Sequence, residues 1–230
     1  MKIHSLLAGV LATTILHAQE KPADPFRENN TGENVAPEKS GPTNISICWE
    51  TFSLPMATAA QLQREQLPDF ELYARLVSAV EKQTARQEAF TLLRAKSGQK
   101  AVSESISEDI YPTEYEPPVD SDPATPVAFE TRNAGMTLEI EPILGKEDKI
   151  LDLRLAPEVV TQVRRSAWGQ GTATTQMPVF ETQRTNTTAI LRMDQPYLVS
   201  TINRPPNSEA DPDAANRVWF AFVTATLAKP

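Results

Sequence analysis

Glu139 and Glu141 stand two residues apart in GMTLEIEPIL, a spacing that puts both carboxylates on one face of a strand. The chemistry such a pair could do is attack at a glycosidic bond. Two solvated acids on the wet face of a sheet explain them more simply. Asp211 and Asp213 offer oxygens for calcium, yet the loop around them lacks the EF-hand spacing. Gly169-Gln170-Gly171 is short and has no helix behind it to turn amides toward a phosphate. No G-x-x-x-x-G-K-[ST] or G-x-G-x-x-G run occurs. The histidines, His4 and His17, both fall within the first 18 residues, a segment expected to be removed, so no Ser-His-Asp or Cys-His arrangement is expected. Cys48 is the one cysteine, so neither an internal disulfide nor a thiolate metal site can form. Its expected place is inside a strand, as a small buried hydrophobe. The sequence therefore predicts no enzyme, no cofactor and no metal.

The elements must position whatever the chain uses instead. It has 230 residues, 22 basic and 30 acidic, for a formal net charge of −8. That balance leaves no basic footprint for a nucleic acid and no charge attraction to anionic lipid. Residues 1–18 have the pattern of an export signal: Lys2, an apolar run from Leu6 to Leu16 too short to span a bilayer, and a small residue, Ala18, before the cut. Loss of Lys2 with that segment takes the charge from −8 to −9. Residues 19–43 are polar and rich in Pro, Asn and Glu, which predicts a disordered leader. Asn29, Asn44 and Asn186 sit in N-x-S/T triplets, with no reason to expect their use. Residues 44–230 are expected to form a single β-rich domain.

Residues 44–54 read as a strand with Ile45, Ile47 and Trp49 on one face and Cys48, Phe52 and Leu54 on the other, so both faces should be covered. A short helix is predicted over 56–66 and a longer one over 69–87. In the second, Leu72, Tyr73, Leu76, Val77 and Val80 make an apolar stripe suited to covering the domain's own sheet. From residue 88 the pattern turns to strands. AFTLLRAK and AVSESISEDIY flank the turn Ser97-Gly98-Gln99 and are expected to pair as a hairpin, and Val102, Ile106 and Ile110 share a face with Glu104 and Glu108. Residues 111–127 are rich in proline, which predicts a long loop. Met136, Leu138 and Ile140, then Leu151, Leu153 and Leu155, mark the inner faces of two half-buried antiparallel strands. Residues 178–192, 197–203 and the closing RVWFAFVTATL continue the pattern. The expected fold is mainly β, an antiparallel β-sandwich that is immunoglobulin-like or secretin-domain-like, with one or two N-terminal amphipathic helices.

The segments LLRAKSGQKAVSESISEDIYP, FETRNAGMTLEIEPIL, ILDLRLAPEVV and PVFETQRTNTTAILR, in that order before a final strand, resemble the β-domain of bacterial secretins. These are the outer-membrane channels of type II and III secretion and type IV pili, and the likeness is greatest to secretin-related exported proteins of Verrucomicrobia-type bacteria. It covers residues 88–227. The stretch 194–202 lacks the glycine pair of that family, and a strand with helices stands where secretins carry tandem periplasmic modules. The strands also lack the long lipid-facing alternation of a transmembrane barrel. What the resemblance implies is a non-enzymatic accessory component of a pilus-like or secretion apparatus. It would be periplasmic or peripheral at the outer membrane, with other envelope proteins as partners. A ring-forming pore subunit and a surface adhesin or glycan-binding module are the alternatives. The candidate partner-binding residues are Tyr111, Tyr115, Pro117 and Pro118 in the proline-rich loop and Trp168 beside its glycine, because loop aromatics make good anchors.

Overall fold

A computed structural model describes residues 44–117, 119, 124–171 and 174–228. The export signal, the leader with Asn29, and Pro118 lie outside the described residues. The described residues belong to one compact unit, Gly41–Pro230. In chain order they form β1 (Asn44–Pro55), α1 (Met56–Arg64), α2 (Asp69–Glu81), β2 (Arg86–Lys96), β3 (Ala101–Glu116), β4 (Thr125–Leu144), β5 (Ile150–Trp168), β6 (Thr175–Arg184), β7 (Thr187–Arg192), β8 (Pro196–Asn203) and β9 (Arg217–Leu227). The fold is mainly β, and every strand pairing is antiparallel.

Two sheets face each other. Sheet A runs β2-β1-β9-β8, and sheet B runs β3-β4-β5-β6, with β7 also paired to β5. The expected alternation decides which side chains meet between them. Ile45, Ile47 and Trp49 from β1, Val223 and Ala225 from β9, Leu138 and Ile140 from β4, and Leu151, Leu153 and Leu155 from β5 form one buried cluster. Each large aliphatic there contributes roughly 1.5–3 kcal/mol by leaving water. The opposite face of sheet A packs on the helices. Phe52, Leu54, Phe220 and Phe222 meet Ala59, Leu72 and Leu76, with Tyr73, Val77 and Val80 half-buried around them. Tyr73 stands edge-on to Phe52 and Phe222, at 5.7 and 5.4 Å between ring centroids. Its hydroxyl donates to buried Glu50 at 2.7 Å. Burial, then that carboxylate, pushes the phenol well above its usual range. The apolar stripe thus covers the chain's own sheet, as its spacing predicts.

Five expectations are corrected. The hairpin expected from AFTLLRAK and AVSESISEDIY does not form: β2 pairs with β1 in sheet A and β3 with β4 in sheet B, so the turn after Lys96 carries the chain from one sheet to the other. The second helix ends at Glu81, not at 87, because Gln83 takes φ 60 and turns the chain into β2. The proline-rich stretch is mostly strand: β3 runs through Pro112 to Glu116 and β4 starts at Thr125. Among the described residues each of these strands there has an outer edge with no strand partner, where proline's missing N–H costs nothing, and bulges fall at Pro112–Tyr115. Residues 178–192 are two strands, β6 and β7, which pair with successive halves of the 19-residue β5. Cys48 is half-buried rather than buried, since the helices stop short of it. Burial and then Glu50 push its thiol up to about 11, which makes it a poor nucleophile near neutral pH.

Candidate interaction site

The three longest strands outrun the sandwich. β4 and β5 pair only from Gly135↔Val160 to Leu144↔Leu151. Beyond that row β4 stays with β3, and β5 stays with β6. The result is a fork: two separate two-stranded hairpins, one of residues 106–116 with 125–134 and one of residues 161–168 with 175–184. Gly135 marks the fork point with φ +134, and a Cβ there would run into the carbonyl oxygen of Ser105 on β3. No other residue type fits both the torsion and the approach.

The hairpins lie face on face. The inner side of the first carries Asp109, Tyr111 and Arg132; the side of the second that meets it carries Arg165, Phe180 and Thr182. Arg165 pairs with Asp109 at 2.8 Å. Tyr111 packs on Phe180 at 6.2 Å between centroids. The Arg132 guanidinium sits 5.7 Å from the same ring and donates to Thr182 at 3.3 Å. Near the tip, the Tyr115 hydroxyl bonds Thr175 Oγ1. The second hairpin is tied back to the body at its base. Arg204, before β9, donates to Glu181 at 3.3 Å and stacks 5.4 Å from Trp219. Ser208 also donates to Glu181, at 2.7 Å. A cleft of about 120 Å³ lies under this base, lined by Trp49, Val159, Gln183, Arg204 and Trp219 among others.

The outer side of the first hairpin is wet and apolar. Ile110 is 61%, Phe129 58% and Val127 50% exposed. Ile110 and Pro112 stand opposite Thr131 and Phe129, so these groups share one face. The mixed face expected for Val102, Ile106 and Ile110 is this outward one.

The proposed partner-binding residues fall on the same extension. Tyr111 and Tyr115 are half-buried and spend their rings or hydroxyls on the second hairpin, so they are seams rather than free anchors. Pro117 is exposed just past β3, and Pro118 lies outside the described residues. Trp168 is the last residue of β5 rather than a loop residue, is 66% exposed, and stands across from Thr175. Tyr115, Pro117 and Trp168 therefore gather at the tip. Sequence reasoning missed Phe129, Phe180, Arg132 and Gly135. The only available signal was the unusual length of β4, which the prolines disguised.

The residues weighed for chemistry have structural partners. Glu139 pairs with Lys100 at 2.6 Å and Glu141 with Arg154 at 3.7 Å, both on the outer face of sheet B. Asp211 takes Arg86 at 2.5 Å. The Asp213 backbone N–H and then that guanidinium hold the Asp211 carboxyl below its usual range. Among the described residues no cluster of three or more metal-ligating side chains occurs. Among them, too, no helix is long and apolar enough to cross a membrane.

No family model matches the chain, and no curated protein matches it. Solved structures with a similar layout include the InvG secretin domain β-barrel from the Salmonella SPI-1 injectisome, at 10% identity and a TM-score of 0.44, covering 82% of this chain and 63% of that one. The V. cholerae type IV competence pilus secretin PilQ gives 14% identity and a TM-score of 0.45, covering 82% and 62%. The Klebsiella pneumoniae type II secretion system outer membrane complex, with PulD, PulS and the PulC HR domain, gives 13% and 0.42, covering 82% and 40%. The chain spans less than two thirds of each of these.

Proposed function

We propose that this chain is a non-enzymatic structural component of a type IV pilus-like or secretion apparatus in the cell envelope, acting by protein–protein binding. It would be exported and would work in the periplasm or peripherally at the outer membrane. The observation that carries this reading is the forked extension. A two-stranded hairpin is marginal alone in water, and one with free edges and an apolar face invites a partner. This chain spends about forty strand residues on two of them. The secretin-like order of segments supports the envelope setting.

A photo-crosslinking residue at Phe129, in the tagged full chain in its native envelope, tests the reading. Phe70, exposed on α2, is the control position. Crosslinks from Phe129, and not from Phe70, to pilus or secretin subunits are expected. Crosslinks to no apparatus subunit would overturn the proposal. A second reading, a ring-forming secretin-like pore subunit, is favoured by one feature: among the described residues each hairpin has two unpaired backbone edges, so copies could join head to tail. Detergent-stable homo-oligomers crosslinked through Phe129 would support it, and a strict monomer would sink it.

A further inference from the structure

Between the two sheets, at the base of the fork, one row of sheet A is built from small residues. Ala89 stands across from Thr51, Thr51 from Ala221, and Ala221 from Ser200, so the row crosses all four strands. Trp49 lies two residues to one side of it on β1, and Trp219 two residues to the other side on β9. Sheet B faces the row with Pro157, Val159 and Gln183. Small side chains between two large ones leave a cleft of about 120 Å³. A hole in a packed core costs stability in proportion to its volume. A row of small residues that keeps this cost in place points to a guest.

The cleft defines its guest by size, by charge and by one polar group. Whole small molecules take pockets of about 300–1,000 Å³, whereas a cavity of about 150 Å³ holds a benzene ring. A volume of about 120 Å³ therefore suits one branched aliphatic side chain. The charged groups along the lining are already partnered: Arg204 with Glu181, Arg184 with Glu158, and Glu88 accepts from the Ser53 hydroxyl. Nothing there calls for a charged guest. The hydroxyls of Ser200 and Thr185 bond each other. What stays unpaired is Gln183 Nε2, a buried donor that meets no acceptor among the described residues. Its amide ends a rotatable side chain in the cleft wall, so a carbonyl brought in with the guest can draw it over. An amino-acid residue supplies both parts, an aliphatic side chain and a peptide carbonyl.

We infer that this cleft is a socket for one leucine-sized aliphatic side chain of a partner peptide, with that residue's carbonyl accepting from Gln183 Nε2. Interface hot spots are built this way, as one side chain enclosed in a pocket. The socket goes beyond the hairpin reading and does not use the exposed face at Phe129, so either proposal can fail alone.

Nuclear magnetic resonance of the full chain, read at the indole N–H signals, tests this. Trp49 and Trp219 flank the socket, and the third tryptophan, Trp168, stands at the tip of the extension. N-acetyl-leucine N-methylamide should shift the Trp49 and Trp219 signals saturably and leave Trp168 unmoved. The alanine analogue is too small for the volume and the lysine analogue is charged, so each should bind at least about tenfold more weakly. Gln183→Leu removes the donor and should weaken the leucine probe about three- to tenfold. Ala89→Leu fills the socket from the edge strand and should abolish binding while raising the midpoint of unfolding. Absence of a saturable shift would overturn the inference. So would equal binding of the three probes, or binding indifferent to both Gln183→Leu and Ala89→Leu. The ketone 4-methylpentan-2-one carries the aliphatic group and a carbonyl without a peptide. If it bound more tightly than the leucine probe, the site would belong to a free apolar molecule and the peptide assignment would fall.

Discussion

The sandwich and the forked extension are built from the same strands but held by different forces. In the sandwich, β4 and β5 bury Leu138, Leu151, Leu153 and Leu155, each with no exposed surface. Past Gly135 and Val160 the same strands carry no fully buried side chain. What joins the hairpins there is one phenylalanine ring, two tyrosines, an arginine over that ring and an ion pair. The hydrophobic effect is non-directional and adds with area, so the sandwich folds as a unit. Ring and charge contacts are directional and individually small, so the extension is ordered locally and stays adjustable. A region built this way opens at lower cost than the global unfolding energy. That suits a surface meant to meet a partner.

The largest loss of stability should come from the sandwich. Leu153→Ala removes a side chain enclosed by both sheets and should cost roughly 2–5 kcal/mol. In chemical denaturation the whole chain should lose stability together, extension included. Next comes the fork. Gly135→Ala forces a side chain into a left-handed torsion against the Ser105 carbonyl and should cost on the order of 1–3 kcal/mol. Hydrogen exchange should show the loss mainly in β3 and β4 beyond the fork. Equal loss of protection in β1 and β9 would mean that the two regions are one cooperative unit.

How much of this was legible follows from the same division. The inner faces of β1, β4, β5 and β9 were readable because alternation and burial are coupled wherever two sheets meet: Ile45, Leu138 and Leu153 fall where the pattern puts them. The stripe on α2 was readable for the same reason. The extension was not, because its hairpins have no dry side to impose a pattern. Pro112, Pro117 and Pro126 read as loop residues, yet β3 and β4 have free edges that tolerate Pro112 and Pro126. Tyr111 and Tyr115 were singled out as candidate anchors, but their roles as seams depend on Phe180 and Thr175, sixty or more residues away. No local pattern announces such a pairing.

Inside the extension the seam rests on Phe180, and Phe180→Ala tests it. It removes the ring shared by Tyr111 and Arg132 and should cost roughly 0.5–1.5 kcal/mol beyond the lost burial, with the sandwich unaffected. Faster exchange in β6 and β3 with an unchanged global midpoint is the expected pattern.

The smallest effect belongs to the Arg165–Asp109 pair. Its arginine is 45% exposed and its aspartate 14%, so one partner is wet and the other partly shielded. An exposed pair is typically worth at most about 1 kcal/mol and is screened by salt. Arg165→Ala should therefore cost less than about 1 kcal/mol at low ionic strength and almost nothing in molar salt. The shielded aspartate is what makes the test informative. If Asp109 drew real order from its partner, Arg165→Ala would loosen β3 as much as Phe180→Ala does, and salt would not erase the difference. A salt-sensitive, sub-kilocalorie change instead means that the ion pair sets only the angle between the hairpins. Their adhesion then rests on the aromatic seam, and a partner could change that angle at little cost.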